Sequence, residues 1–340
     1  LERHANIVIG GGLLGCGLAL ELAAAGRRVL LLEQDTEVMN RASLRNEGKI
    51  HLGLIYAGDR SGRTGKLQLE GALGFRRIVA SWIGETAFSR IGISTPFTYL
   101  VAENSLLKPE QLNTHYQNLW EAYRTAMRAS PQTVDYLGIC PDFLARRVDL
   151  ETLPDCLARQ PVLAAFETSE RAISTDHLAA EVRRAVSHNA LIDLRCGSRV
   201  VGMSRHGSGF AVTTSSRPDD GLSEYFGDTI FNATWEQRFR LDGMLGIQSA
   251  PGWLHRLKYR VIARLPEGFE HAPSITIVLG RFGDVVIRPD RTAYLSWYPE
   301  GLRGWSHDIA PPMAWEPACK GKEQPAVSNS IATAIVRAIA

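Results

Sequence analysis

Ile7-Val8-Ile9-Gly10-Gly11-Gly12-Leu13-Leu14-Gly15 opens the chain, and Val29-Leu30-Leu31-Leu32-Glu33 follows an alanine- and leucine-rich stretch that ends at Gly26. A short apolar run meets glycines spaced G-x-G-x-x-G. A helix-like segment comes next, then a second apolar run closed by an acid. This is the sequence form of a β-α-β unit that binds a dinucleotide. Gly10 permits the tight turn from strand to helix. Gly12 has no side chain, so a pyrophosphate can approach the backbone, and Gly15 lets the helix pack closely on the strands. The helix N-terminus offers free N–H groups and a positive dipole end to the phosphates. Glu33 lies roughly 20 residues past the glycines, where a carboxylate accepts a hydrogen bond from a ribose hydroxyl. The same charge repels a 2′-phosphate, which favours NAD or FAD.

The rival reading of this stretch is a targeting segment, because Arg3 and His4 precede a long small-and-apolar run. Glu21 interrupts that run, and its five glycines between Gly10 and Gly17 make a poor membrane helix. No transmembrane segment is expected. The first residue is Leu1 rather than Met, so a trimmed start is expected. At 340 residues the chain can hold one large or two ordinary domains. A charged fraction of 22% fits a soluble globular protein, and a net charge of +2 is too small to argue for nucleic acid. The five cysteines (Cys16, Cys140, Cys156, Cys196, Cys319) form no C-x-x-C pair, which fits neither a disulfide framework nor a zinc site. The nine histidines are dispersed. No metal is expected, and a reducing, cytoplasmic setting is the default. No P-loop or G-x-S-x-G motif is present, and nothing fixes the oligomeric state.

Beyond the opening unit, residues 36–66 form a long irregular connection rich in Gly, Asn, Arg and Ser, of the kind that is usually functional. Apolar spacing predicts helices over 67–83 and, introduced by Pro109 and Glu110, over 109–129. Residues 91–102 read as a strand. Thr175-Asp176-His177-Leu178 opens an amphipathic helix through about Ser187, with Thr175 or Asp176 as its N-cap. Strands are expected at 191–195, 199–204, 209–214 and 228–232, with a polar turn at 215–223. Four more, at 255–265, 274–280, 284–288 and 293–298, suggest an antiparallel sheet. A Pro/Trp-rich loop covers 299–317, and a helical pattern resumes near 329.

In this order the segments resemble the superfamily of FAD-dependent amine and hydroxy-acid oxidoreductases, which includes D-amino-acid oxidase, glycine oxidase, and the glycerol-3-phosphate and L-2-hydroxyglutarate dehydrogenases. Three segments carry the resemblance: the opening fingerprint; Ala42-Ser43-Leu44-Arg45-Asn46-Glu47-Gly48-Lys49-Ile50-His51, similar to an S-x-x-N-x-G-x-I-H loop that runs toward the flavin ring; and the helix at 175–187 followed by Ser198-Arg199-Val200 and Ile230-Phe231-Asn232-Ala233-Thr234. The resemblance implies an α/β fold, with a Rossmann-like FAD domain of the glutathione-reductase type and a second, mixed α+β substrate domain with an antiparallel sheet. It implies an FAD domain from residues 1–84 and 160–245, a substrate domain from 85–159 and 246–315, and in 316–340 the start of a helix returning to the FAD domain. Gly10, Gly12, Leu14 and Gly15 match the pyrophosphate turn, and Glu33 with Gln34 the adenosine ribose. Ser43, Asn46, Glu47 and Gly48 match the flavin-proximal loop, Val200 the adenine contact, and Ala233 and Thr234 the later phosphate-side strand.

Two departures stand out. Trp235 occupies a position where the family has glycine, and a large ring there is expected to crowd the backbone approach. In the family a glycine-rich segment near the C-terminus covers the flavin's pyrimidine end; after Trp315 Gly321 is the only glycine and no such segment follows, so either a truncated chain or a flavin site completed differently is expected.

The implied chemistry is oxidation of a C–H bond next to an amine or hydroxyl of a small acid, with hydride passing to flavin N5. His51 is the candidate acid/base, with a flavin contact, a covalent flavin attachment point and a loop histidine bonded to backbone as the other readings, and Arg260 is the candidate substrate-binding residue. Arg45 and Lys49 either face the flavin or a carboxylate, or are solvated charges. Strand alternation puts Lys258 and Arg260 on one face and Tyr259 on the other, with Arg281, Arg288, Tyr294 and Tyr298 nearby. An NAD-dependent dehydrogenase and a non-catalytic nucleotide-fold protein are the alternatives.

Overall fold

A computed structural model describes residues 2–153, 161–216 and 221–339. The centre of the turn expected at 215–223, residues 217–220, lies outside the described residues. The first sheet has six strands in the order Ile192–Arg195, Val29–Leu32, Glu2–Ile9, Leu222–Asn232, Gly209–Ser215, Arg199–His206. The first four run parallel and the last two join antiparallel. The helix Leu13–Ala24 links Glu2–Ile9 to Val29–Leu32, giving the β-α-β unit expected from the opening residues.

Pleating explains why Val29–Leu32 is apolar throughout. Val29 and Leu31 pack with Leu20, Leu69 and Leu178 from the helices Leu13–Ala24, Arg63–Ile83 and Thr175–Ser187. Leu30 and Leu32 face the opposite core, with Ile7, Ile9, Val200, Met203 and Val212. A strand covered on both faces has no polar side to present. Each such leucine contributes about 2 kcal/mol by burial.

The second sheet has seven strands in the order Val261–Arg264, Thr292–Trp297, Gly283–Ile287, Ser274–Ile277, Phe97–Ala102, Val162–Thr168, Ala145–Val148. Its pairings are antiparallel except that of Ser274–Ile277 with Phe97–Ala102, which is parallel. That pair is the seam between two chain segments that flank the later nucleotide-sheet strands. The fold is therefore the expected α/β arrangement of a dinucleotide-binding sheet with a second, mixed sheet.

Several details differ from the sequence reading. Val162–Thr168 belongs to the seven-stranded sheet, so sheet membership changes after Thr168 rather than at residue 160. The segment 255–265 is two strands in two sheets: His255–Lys258 pairs with Leu302–Ser306, and Val261–Arg264 pairs with Thr292–Trp297. Tyr259 and Arg260 sit at the break, so one alternation does not run from Lys258 to Arg260. Leu302–Ser306 is a strand inside the expected loop, and the Trp315 ring packs where a Cβ on Gly304 would stand. The N-cap of Thr175–Ser187 is Ser174, whose Oγ accepts from the His177 N–H at 3.3 Å. Thr175 instead donates its hydroxyl to the Leu44 carbonyl at 2.9 Å. The helix Pro325–Ile339 packs beside Thr292–Trp297 and the edge strand Val261–Arg264 of the second sheet, burying Ile331 and Ile335, rather than returning to the first. Among the described residues no helix is long and apolar enough to cross a membrane.

Candidate cofactor cleft and active site

The parallel strands Glu2–Ile9, Val29–Leu32 and Leu222–Asn232 deliver Gly10, Glu33 and Ala233 to the same end of the sheet, where α/β folds bind ligands. A cleft of about 410 Å³ opens there. It is lined by Gly10, Gly12, Leu14, Glu33, Gln34, Ser43, Asn46, Gly48, Val200, Ala233 and Thr234, all of them cofactor candidates from the sequence. Gly15 lies beneath this lining, Glu47 sits on the same loop but outside it, and neither His51 nor Arg260 borders the cleft.

Gly10 and Gly15 are required by space. Gly10 adopts φ +101°, and a Cβ there would stand 2.8 Å from the Ala233 carbonyl oxygen. A Cβ on Gly15 would come 1.8 Å from the Gly10 carbonyl oxygen. Gly12 is the N-cap of Leu13–Ala24 and supplies no side-chain cap. The first N–H groups of that helix have no partner within it, apart from Leu13 N–H, which donates to Ser43 Oγ at 2.9 Å. A helix start that keeps its other N–H groups free and faces a cleft fits a pyrophosphate.

Glu33 is buried, with Oε2 accepting from Gly11 N–H at 2.6 Å and Oε1 from Asp35 N–H at 2.7 Å. Burial pushes its carboxyl up, against the two backbone N–H groups that favour the charged form. A carboxylate has about four acceptor sites, which leaves room for a ribose hydroxyl. Asn46 turns inward: Nδ2 donates to the Ala42 carbonyl at 2.7 Å, and Oδ1 accepts from Gly48 N–H at 2.7 Å. It shapes the loop. Asn232 does the same for the later strand, its Oδ1 accepting from the Thr234 hydroxyl at 2.6 Å. The Val200 carbonyl accepts from Arg240 Nη2 at 3.1 Å.

Trp235 lines the cleft at its rim. Its backbone takes φ +51°, the left-handed conformation that suits glycine, and its ring is 80% exposed at the rim. The conformation is kept and the side chain swings out.

Sequence reasoning missed an ionic knot at the same rim. Arg41 donates to Asp35 through Nε at 2.9 Å and Nη2 at 3.0 Å, to Glu316 at 3.1 and 3.0 Å, and to Glu236 at 3.3 Å. Its guanidinium is held charged although burial opposes it. Arg45 Nη2 donates to the Lys320 carbonyl at 3.0 Å. Residues 316–320 are thereby strapped to the loop that carries Arg41 and Arg45.

Beneath the loop lies a buried polar network. Lys49 neither faces solvent nor lies free to meet a flavin: Nζ donates to Thr276 at 2.6 Å and Asp284 at 3.0 Å, and lies 3.9 Å from the centre of the Phe97 ring. Glu170 is fully buried and accepts from Leu52 N–H at 2.7 Å and from the Tyr99 hydroxyl. Its Oε1 is 3.6 Å from His51 Nδ1, and that nitrogen is buried with no hydrogen-bond partner among the described residues. Burial works to neutralise Glu170, but His51, Lys49 and Tyr99 outweigh it and hold the carboxyl below its usual range. No motif announces Glu170, because its partners come from distant elements.

The arginines of the second sheet are partly orphaned. Arg260 Nε, and Nε and Nη2 of Arg288, are buried without a partner among the described residues. Arg288 Nη1 stands 3.5 Å from Asp176. Burial pushes Arg260 down, as does the repulsion of Arg288 and Arg45.

Comparison with known proteins agrees with this geometry. A glycine oxidase from Geobacillus kaustophilus superposes with a TM-score of 0.62 at 16% identity, covering 86% of this chain and 70% of that one. The L-α-glycerophosphate oxidase of Mycoplasma pneumoniae gives 0.57 at 15% identity, covering 91% and 73%. NikD, an unusual amino acid oxidase of nikkomycin biosynthesis, gives 0.61 at 15% identity, covering 99% and 77%. At these identities the likeness speaks for the fold. An FAD-dependent monooxygenase from Fusarium mangiferae is 38% identical over 79 residues, which are 23% of this chain and about a fifth (20%) of that protein's length. The profile of the DAO family of FAD-dependent oxidoreductases matches residues 6–320. With the glycine turn, Glu33, the Ser43–Gly48 loop and the Ala233–Thr234 strand gathered on one cleft, the chain belongs to the DAO family of FAD-dependent oxidoreductases.

Proposed function

We propose that this enzyme oxidises the C–H bond next to the hydroxyl or amine of a small acid. The observation that carries the reading is the convergence of the glycine turn, Glu33 and the Ser43–Gly48 loop on one cleft, with the loop continuing directly into His51. The bound flavin supplies the hydride acceptor. The chain does the rest. Gly10, Gly12 and the helix start at Leu13 and Leu14 hold the pyrophosphate. Glu33 and Gln34 hold the ribose, and the Val200 main chain meets the adenine. Ser43, Asn46, Glu47 and Gly48 shape the approach to the flavin ring, with Ala233 and Thr234 on the opposite wall. Gly15 keeps the helix close to the strands.

The six-stranded sheet and its helices form the FAD-binding unit, and the seven-stranded sheet forms the substrate unit. His51 takes the hydroxyl proton of a hydroxy acid, which an already neutral amine would not need. Arg260 binds the substrate carboxylate, a role supported by its partnerless Nε. The nearby His51–Glu170 pair favours the hydroxy-acid side. The test is anaerobic addition of a panel of D- and L-amino and hydroxy acids to the flavin-loaded protein. Bleaching by one of them supports the reading, and bleaching by none removes it.

A further inference from the structure

We infer that Glu170 is a positioning residue for His51: it fixes the imidazole with the proton on Nδ1, presents Nε2 to the substrate, and balances the charge when Nε2 takes a proton. The inference rests on the reading of His51 as the group that accepts the hydroxyl proton.

Three observations carry it. Glu170 cannot be a solvated or incidental charge, because it is fully buried. Its own position is fixed from two sides, by the N–H of Leu52, the residue after His51, and by the Tyr99 hydroxyl. Its Oε1 faces His51 Nδ1 at 3.6 Å, and Nδ1 has no other partner among the described residues. An imidazole whose Nδ1 faces a carboxylate keeps its proton there, and Nε2 carries the lone pair.

The charges nearest Glu170 point the same way. Lys49 is positive, while Asp284 and Glu170 are negative, so this buried group is one proton short of neutral. The tyrosines around it, Tyr56, Tyr99, Tyr116 and Tyr136, all have hydroxyls that burial keeps protonated. Further out, Glu47 acts on Tyr56, Lys258 on Asp284 and Arg171 on Tyr136, two positive charges and one negative, a sum of +1 that offsets this deficit from outside the group. The imidazolium of His51 is the one charge in direct contact with Glu170 that can appear during turnover. In the step itself the substrate O–H proton moves to Nε2, the C–H hydride leaves to the flavin, and the C–O bond becomes a carbonyl.

The first test needs no substrate and no variant enzyme activity. Nitrogen-15 NMR of histidine-labelled protein, with the His51 signal assigned by its loss in H51Q, reads the tautomer of the neutral ring. Protonation on Nδ1 is expected, and protonation on Nε2 overturns the inference. The second uses E170Q, which keeps the volume and an acceptor for the Leu52 N–H but puts an amide N–H in place of Oε1, facing both Nδ1 and the Tyr99 hydroxyl, which then accepts rather than donates. The tautomer is expected to switch to Nε2–H, and kcat for a hydroxy acid to fall on the order of 100-fold with KM little changed. An unchanged tautomer and an unchanged kcat in a folded E170Q protein overturn the inference. If H51Q itself leaves hydroxy-acid turnover intact, the base reading of His51 is what has failed, and the NMR result then stands as a separate test of the Glu170 contact.

Discussion

Arg41 and Glu316 lie 275 positions apart, yet the carboxylate of one takes paired hydrogen bonds of 3.1 and 3.0 Å from the guanidinium of the other. Asp35 and Glu236 share the same arginine, and all but Glu316 line the cofactor cleft. Removing Arg41 leaves three carboxylates facing one another in a poorly hydrated place. R41A is expected to destabilise the protein by about 3 kcal/mol and to loosen flavin retention. E316Q, which leaves the Asp35 pairing intact, is expected to do less. Thermal melts with and without added FAD check both. Equal melting points for R41A and the parent protein would contradict this account of the knot.

Gly12 and Gly15 make separable demands. A Cβ on Gly12 meets only Ser43 Oγ, at 3.2 Å, whereas a Cβ on Gly15 collides with backbone at 1.8 Å. G12A is expected to fold with a loss under about 1 kcal/mol and to lose flavin, because the methyl group stands where the phosphates approach. G15A is expected to damage the fold itself. Circular dichroism alongside flavin stoichiometry separates the two. A G12A protein that retains full flavin argues against the pyrophosphate site.

Glu170 and Asp284 both lie below the ordinary carboxylate range. Burial opposes the charge in each, but His51, Lys49 and Tyr99 outweigh it at Glu170, and Lys49 and Thr276 at Asp284. A depressed folded value gives stability that is complete above the unfolded value of about 4 and is lost as pH falls through the folded value. Urea midpoints should therefore drop in acid below about pH 4. D284N should start less stable at neutral pH and fall less steeply, and parallel curves would refute the assignment.

Cys16 sits under the glycine turn, its thiol pushed up to about 12 by burial and then by the charge of Glu33. Cys140 is exposed. Alkylation at mildly alkaline pH is expected to label Cys140 in the native protein and to reach Cys16 only on unfolding. Mass spectrometry of labelled peptides reads this directly, and prompt labelling of Cys16 would mean that the turn opens.

Much of the fold was legible because its signals are local. Gly10 to Glu33 carries strand, turn, helix and acid within one stretch, and Pro109 with the amphipathic spacing behind it marks a helix of Pro109–Ala129. The lining of the candidate cleft was readable for the same reason, since Ser43–Gly48 and Ala233–Thr234 are contiguous motifs. What stayed hidden depends on distant partners. Leu302–Ser306 reads as loop because Gly304 and Trp305 weaken its pattern, and its pairing with His255–Lys258 makes it a strand. Glu170 has no signature at all, because its function as an anion is set by Tyr99, Lys49 and Leu52. At Trp235 residue size was legible and backbone conformation was not: the residue keeps φ +51° and stands exposed at the rim of the cleft, where the sequence suggested a ring crowding the backbone.

The most direct test of the central claim is the visible spectrum of the purified protein titrated with FAD and then mixed, without oxygen, with amino and hydroxy acids. The account predicts one flavin per chain, a bound-flavin spectrum that G12A fails to develop, and bleaching by a small acid. A protein that takes up no flavin under these conditions would contradict it.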